Sequence, residues 1–330
     1  MPNPTYTDLH VSTPLTNISI GWAQANAGKY NARRIFQSIG VMKNADKYYT
    51  YTQADLQRSQ AERRAPGAEA TVGGYRVSTG SYLCDRWALA HDITDPDRGN
   101  ADPQFDLDSE AAEFITDQIE LAAEKQFIDE FFTTSVWTGA SSTGDMTGAA
   151  APASTASGFR QWNDVASTPI EDLRGEMYHV ESKTGFRPNV LSMGAKVWRS
   201  LADHPDFMDK IKYTQTGNFG TDLLASLLGL DDVIVMNAVI NSAAEQATQS
   251  VDFIAGKNAL LTYRPPSPGL RRPAAGYTFI WTGAGAPVQG ARVKRYRLDR
   301  NESDRIEGET WLDFVQTSAS LGAFFATAVA

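Results

Sequence analysis

The chain has 330 residues, of which 42% are hydrophobic and 21% charged, with a formal net charge of -9. This composition excludes a disordered chain, and the length exceeds one ordinary core, so one elaborated domain or two lobes are expected. The negative balance disfavours a protein that grips a phosphate backbone, which needs a basic face.

Residues 1–45 are only weakly periodic. The start has neither a basic nor an apolar signal-peptide region. Pro2, Pro4 and Pro14 predict an extended beginning, with a short helix around Tyr30–Ile39. The segment reads as an arm that wraps over something.

Residues 46–94 read as a long hairpin with arms Tyr48–Gln53 and Tyr75–Thr94. Its polar tip, Asp55–Gly74, carries Arg58, Arg63 and Arg64. An arm of about 20 extended residues reaches roughly 65 Å. A lone two-stranded ribbon is marginal in water. Something outside the segment must hold it, and a second copy of the chain is the most economical candidate. Gly80 interrupts the second arm and predicts a bulge or a twist. Tyr48, Tyr49, Tyr51, Tyr75, Tyr82 and Trp87 are expected to pack across the strands, or else against a neighbour. The single cysteine, Cys84, has no intrachain partner for a disulfide and suits a reducing compartment; a small buried hydrophobe on a strand is expected there.

The turn-rich run Asp95–Pro103 lacks the spacing and closing glutamate of a calcium loop. Asp106 then caps a helix to about Phe132, roughly 40 Å long. Leu107, Phe114, Leu121, Ile128 and Phe132, with Ala111, Ile115 and Ala122, are expected along one face. Glu113, Asp117, Glu120 and Glu124 form an acidic stripe on another. It is either a solvated face or a docking strip for Arg58, Arg63 or Arg64 of a neighbouring copy.

Residues 138–158 are Ala/Ser/Thr/Gly-rich and read as a loop. Pro169 opens a helix that Gly185 closes. Residues 188–262 read as an α/β lobe. Its strands are Asn189–Met193, Asp232–Met236 and Val251–Ala255; its helices are Ala195–Ala202, Pro205–Tyr213 and Thr221–Leu228. Residues 263–290 are mostly loop around a strand Tyr277–Trp281. Residues 291–316 form a second hairpin turning at Asn301–Asp304. Arg292, Lys294, Arg295, Arg297 and Arg300 face Glu307, Glu309 and Asp313 across it.

No catalytic, cofactor-binding or metal-binding residues stand out. His10, His91, His179 and His204 are dispersed, and His204 is expected to cap or pack the helix at Pro205. Gly283-Ala-Gly-Ala-Pro lacks the Gly-Lys-Ser/Thr and the following helix of a phosphate loop. No run of about 18 apolar residues predicts a membrane span.

Ordered phrases carry a resemblance. They are Asn189-Val-Leu-Ser-Met-Gly-Ala-Lys-Val-Trp198, His204-Pro-Asp-Phe-Met-Asp-Lys-Ile-Lys-Tyr213 and Leu228-Gly-Leu-Asp-Asp-Val-Ile-Val235. Gly256-Lys-Asn-Ala-Leu-Leu261, Pro265-Pro-Ser-Pro-Gly269 and Ala275-Gly-Tyr-Thr-Phe279 come next. Coming after an arm, a hairpin and a long helix, they resemble the major capsid proteins of tailed bacteriophages, with the Hong-Kong-97-type fold. The resemblance implies an α+β chain with an N-terminal arm (1–45) and an extended hairpin loop (46–94). A spine helix with peripheral domain (95–187), an axial domain (188–262), and a return loop with C-terminal strands of the peripheral domain (263–330) complete it. It implies a non-enzymatic subunit without cofactors that assembles as hexamers and pentamers into an icosahedral shell around double-stranded DNA. Such a subunit would be assembled in the host cytoplasm, reside in the virion capsid, and meet portal, separate scaffold or decoration proteins. About 45 residues before the hairpin are too few for a cleaved scaffolding extension. No lysine lies between Gln53 and Asp85, so the hairpin cross-link of some members is not expected. Alternatives are an encapsulin-like bacterial nanocompartment shell, which encloses enzymes, and an irregular α+β hydrolase, which lacks a nucleophile here.

Overall fold

The computed structural model describes residues 12–26, 28–51, 57–101, 106–140, 144–151, 157–211, 220–244, 247–269 and 272–330. The expectations for Pro2, Pro4, His10, Gln53, Asp55 and Asp102 lie outside these residues.

A long strand, Ser303–Gln316, organises the first of two main sheets. Arg292–Leu298 pairs with it from Arg292↔Glu309 to Leu298↔Ser303, and Gly276–Trp281 pairs further along. Asp85–Thr94 also pairs with it, from Thr94↔Ser303 to Asp85↔Leu312. Gln37–Val41 runs parallel to Gly276–Trp281. The second hairpin turns at Asp299–Asn301, with Glu302 at φ 46°, slightly before the expected Asn301–Asp304.

The spine helix, Leu107–Phe131, lies against this sheet. Asp106 caps it, accepting from the N–H groups of Asp108 and Ser109. Its buried face runs through Ala111, Ile115, Ile119, Ala123, Phe127 and Phe131. The expected face therefore needs correction: Phe114 is 50% exposed and Leu121 only half-buried.

The start of the chain is not extended as far as it is described. Thr13–Ala25 is helical, with Pro14 in the first turn, where a missing N–H costs nothing. Ser19, fully buried, accepts from Thr116 Oγ1 at 2.8 Å and from the Ala291 N–H at 2.9 Å, joining this helix to spine and sheet. The helix expected around Tyr30–Ile39 shrinks to Ala32–Ile35, because the chain then enters strand Gln37–Val41.

The second sheet has six strands in the order Gly158–Arg160, Met146–Ala149, Gly322–Ala326, Ala259–Thr262, Val190–Gly194, Asp232–Met236. Helices Pro169–Thr184, Ala195–Ala202 and Thr221–Leu228 accompany it as expected, with Gly185 and Gly229 closing two of them at φ 78° and 70°. Trp162, Leu173, Met177, Met193, Phe207 and Phe325 fill the core. Of its strands, Met146–Ala149 lies inside the stretch expected as loop, 138–158, and Gly158–Arg160 begins at its end. Val251–Phe253 instead pairs with Val239–Asn241 in a small separate ribbon. The sheets thus group the chain otherwise than the expected stretches 95–187, 188–262 and 263–330. Gly322–Ala326 joins the sheet of the middle stretch, and so do Met146–Ala149 and Gly158–Arg160.

An aromatic cluster joins the two sheets. Phe36, with no exposed surface, sits 5.0 Å from Phe127 and 4.9 Å from Phe131, ring to ring, with Trp137 at 6.3 Å. Phe314 and Phe324 extend it. Each such side chain contributes about 1.5–3 kcal/mol by burial.

Candidate assembly surface

Ala45–Tyr51 and Val77–Leu83 form an antiparallel two-stranded ribbon of seven pairs, from Ala45↔Leu83 to Tyr51↔Val77. The expected second arm, Tyr75–Thr94, is corrected here: beyond Cys84 the strand leaves the ribbon and joins the body beside Ser303–Leu312. Seven residues reach about 23 Å rather than 65 Å. The expected bulge at Gly80 is also absent from the register, which runs unbroken through Tyr48↔Gly80. A Cβ on Gly80 would lie 2.3 Å from Tyr48 Cζ. The glycine makes room for the tyrosine ring.

The root of the ribbon is firmly held. Tyr82 stacks on Phe279 at 4.5 Å, and Tyr48 lies 5.9 Å from the same ring. The Leu83 N–H donates to Asp313 Oδ2 at 2.9 Å, and the Cys84 N–H donates to Asn44 O at 2.9 Å. Burial raises the Asp313 carboxyl above its ordinary range and pushes the Cys84 thiol up to about 12. Cys84 is 2% exposed, the small buried residue expected.

The far part is not held by a core. Every described residue from Gln57 to Thr79 is exposed except Gln60, which bridges the two sides through Gly74 N and O. Arg58, Arg63 and Arg64 are exposed there, and Arg64 Nε donates to Ala68 O. Gln57 Nε2 donates to Lys183 O at 3.1 Å. Val72, Tyr49 and Tyr75 present large apolar surfaces to solvent. Three large exposed apolar side chains on one protruding segment fit an interaction surface.

The acidic stripe meets a partner from its own chain. Asp117 receives Lys29 Nζ and the Tyr30 hydroxyl, each at 2.8 Å. Arg33 reaches Glu120 at 3.1 Å. Glu124, fully buried, accepts from the Asn31 and Ala32 N–H groups at 2.9 and 2.7 Å, at the start of the short helix Ala32–Ile35. The tip arginines therefore do not find an empty strip at Asp117, Glu120 and Glu124, because the arm lies on it. Glu113 is half-buried, without an ion pair among the described residues. Phe36 explains the arm's course: its ring is pinned in the aromatic cluster, so residues 29–35 must run along the spine. Lys29 and Arg33, four apart, match Asp117 and Glu120, three apart; that spacing was the missed signal.

The charged hairpin is paired only partly as expected: Arg292 and Lys294 stand opposite Glu309 and Glu307, whereas Asp313 lies opposite Phe279 and Arg297 meets Asp95 and Asp304. Glu309, with no exposed surface, receives Arg292, Lys294 at 2.5 Å and Arg86 at 2.5 Å. Burial alone would raise its carboxyl, but hydrogen bonds from Lys294 and Arg292 outweigh that and hold it below its ordinary value. Arg295 ties the hairpin to Asp108 and Asp304, each at 2.8 Å, and so to the start of the spine.

One contact has the distance of a nucleophile–base pair: Ser167 Oγ lies 3.0 Å from His204 Nε2, both buried. His204 Nδ1 accepts from the Asp206 N–H at 3.1 Å, so the ring proton is on Nε2. Ser167 donates to Asp164 O at 2.7 Å. The ring cannot take a proton from this serine; it caps the helix at Pro205, as expected. No group of three or more His, Cys, Asp or Glu that could hold a metal occurs among the described residues, and no helix among them is long and apolar enough to cross a membrane.

No protein-family profile matches the chain. In sequence it is similar to the major capsid protein of Burkholderia phage BcepMu, 24% identical over 301 residues, which cover 90% of this chain and 91% of that one. In structure it is similar to a phage-related protein of Bordetella bronchiseptica, with TM-score 0.71 and 18% identity over 97% of this chain and 98% of that one. It is also similar to the capsid of cyanophage P-SCSP1u, with TM-score 0.55 and 10% identity over 88% of this chain and 86% of that one. By sequence along most of its length, and by fold, the chain is a homologue of phage major capsid proteins and carries the Hong-Kong-97-type shell fold.

Proposed function

We propose that the chain is the structural subunit of a phage capsid: many copies assemble, as hexamers and pentamers, into an icosahedral shell around double-stranded DNA. It is a building element and not an enzyme. The observation that carries this is the ribbon, rooted by Tyr82, Leu83 and Cys84 and exposed from Gln57 to Thr79, on a fold shared with phage capsids. A segment with that much exposed apolar surface gains stability when another copy covers it. Arg58, Arg63 and Arg64 are the contacts it offers, and Glu113 remains the spine carboxylate open to them. The net charge of -9 keeps such a wall from adhering to packed nucleic acid. Portal, scaffold and decoration proteins are its further partners, the virion its location, and the host cytoplasm its place of assembly. The nanocompartment alternative is not favoured, since the curated relatives the chain matches are phage major capsid proteins.

Negative-stain microscopy with analytical ultracentrifugation of the purified protein tests this. Capsomers or closed shells are expected. A strictly monomeric species at high concentration, with the ribbon packed on its own body, overturns the proposal.

A further inference from the structure

We infer that Glu124 is a proton-sensitive latch that seats the arm segment Gly28–Ile35 on the spine helix. The geometry singles this residue out. Glu124 is 1% exposed, and one of its oxygens takes both N–H groups at the start of Ala32–Ile35. Its other oxygen, Oε1, is buried with no hydrogen-bond partner among the described residues. The side chain borders a cleft of about 600 Å³, lined also by Trp22, Tyr30, Gln37 and Arg264, through which water can reach it once the arm lifts.

The charges around the latch oppose its ionisation. On the spine, Glu120 and Asp117 are one and two turns away; on the arm, Arg33, Lys29 and Tyr30 are committed to those two carboxylates. From the six-stranded sheet and the loop after it, Asp232 and Arg264 pair with each other, and Asp232 also holds Arg34. Among these cations none pairs with Glu124. Burial pushes the Glu124 carboxyl up to about 7, with the two backbone donors offsetting part of the rise and Glu120 adding to it.

A carboxyl raised in the seated form stays neutral there while the released form ionises at its ordinary value near 4.5. Release therefore becomes easier from about pH 4.5 up to about 7, and levels off above that. Between pH 5.5 and 8.5 the opening equilibrium is expected to rise about 30-fold.

Hydrogen exchange of the full chain tests this, corrected for the intrinsic pH dependence of amide exchange, at residues 29–36 and at the remote strand Val190–Gly194. Wild type is expected to show the roughly 30-fold rise at residues 29–36 and none at Val190–Gly194. Glu124→Gln, which keeps an acceptor for the two N–H groups, is expected to be flat within about threefold. Glu120→Gln should retain the pH response. A flat wild-type profile, or a wild-type rise shared by Glu124→Gln, overturns the inference. The readout does not depend on assembly, so a failure here is separate from a failure to form shells.

Discussion

Glu309→Gln tests how the charged hairpin is held together. The carboxylate has no exposed surface, and the side chains of Arg292 and Lys294 that meet it are 4% and 9% exposed. Neutralising it leaves two cations in a site that water barely reaches. Breaking a buried pair from one side costs about 3–5 kcal/mol, because the desolvation of the remaining partner is no longer compensated. Globular domains have about 5–15 kcal/mol in total, so the variant should lose a large share of its stability. Arg86→Ala is the internal control: its side chain is 51% exposed, and exposed pairs contribute about 0–1 kcal/mol. Equilibrium denaturation followed by tryptophan fluorescence gives both numbers, helped by Trp311, which lies 4.9 Å from the Arg292 guanidinium. The pH dependence adds a second check. A carboxyl held below its ordinary value stabilises above the unfolded-state value near 4.5 and loses that contribution as pH falls through the folded-state value. The gap between wild type and Glu309→Gln should therefore narrow in acid. A cost at pH 7 below about 1 kcal/mol, or a gap that does not change with pH, refutes this account.

Gly276→Ala should destabilise by about 1–3 kcal/mol, since its Cβ would lie 2.2 Å from Phe36 Cε2 in a close-packed ring cluster; a melting temperature equal to wild type contradicts that. Cys84 should resist thiol reagents in the native protein and react on unfolding, because it is buried and its thiol is raised to about 12; rapid native labelling at pH 8 counts against the buried root. Reversing charge at Arg63 and Arg64 should leave thermal unfolding within about 0.5 kcal/mol of wild type and impair shell formation, as seen by microscopy. Normal shells from that variant remove these two side chains from the assembly contacts.

Much of the fold was legible because local signals marked it. Asp106 before the spine, Pro169 and Gly185 around one helix, and Gly229 after another fixed element ends to within a residue or two. The charges on Arg292, Lys294, Glu307 and Glu309 fixed the pairing of the second hairpin. What was not legible depends on partners distant in sequence. The inward positions change parity between Cys84 and Trp87, but no glycine or proline marks a break there, and the residues do not show that Val77–Leu83 and Asp85–Thr94 pair with different strands. Met146–Ala149 is small and polar enough to pass for loop, and becomes a strand because Gly322–Ala326 lies beside it. At the site, four regularly spaced acids left open a solvated face or a docking strip for a neighbour's arginines; the occupant comes from some 90 positions earlier in the same chain. The tip arginines were legible as exposed cations and are exposed.

The two main sheets share a property of chain order. Ser303–Gln316 lies inside the first and Gly322–Ala326 inside the second, so each is completed by a strand made after its neighbours. A nascent polypeptide synthesised as far as residue 300 lacks the middle strand of both. Its earlier segments, ribbon included, would then have no finished body to be anchored on. Vectorial synthesis thereby leaves both main sheets open until nearly all of these residues have emerged.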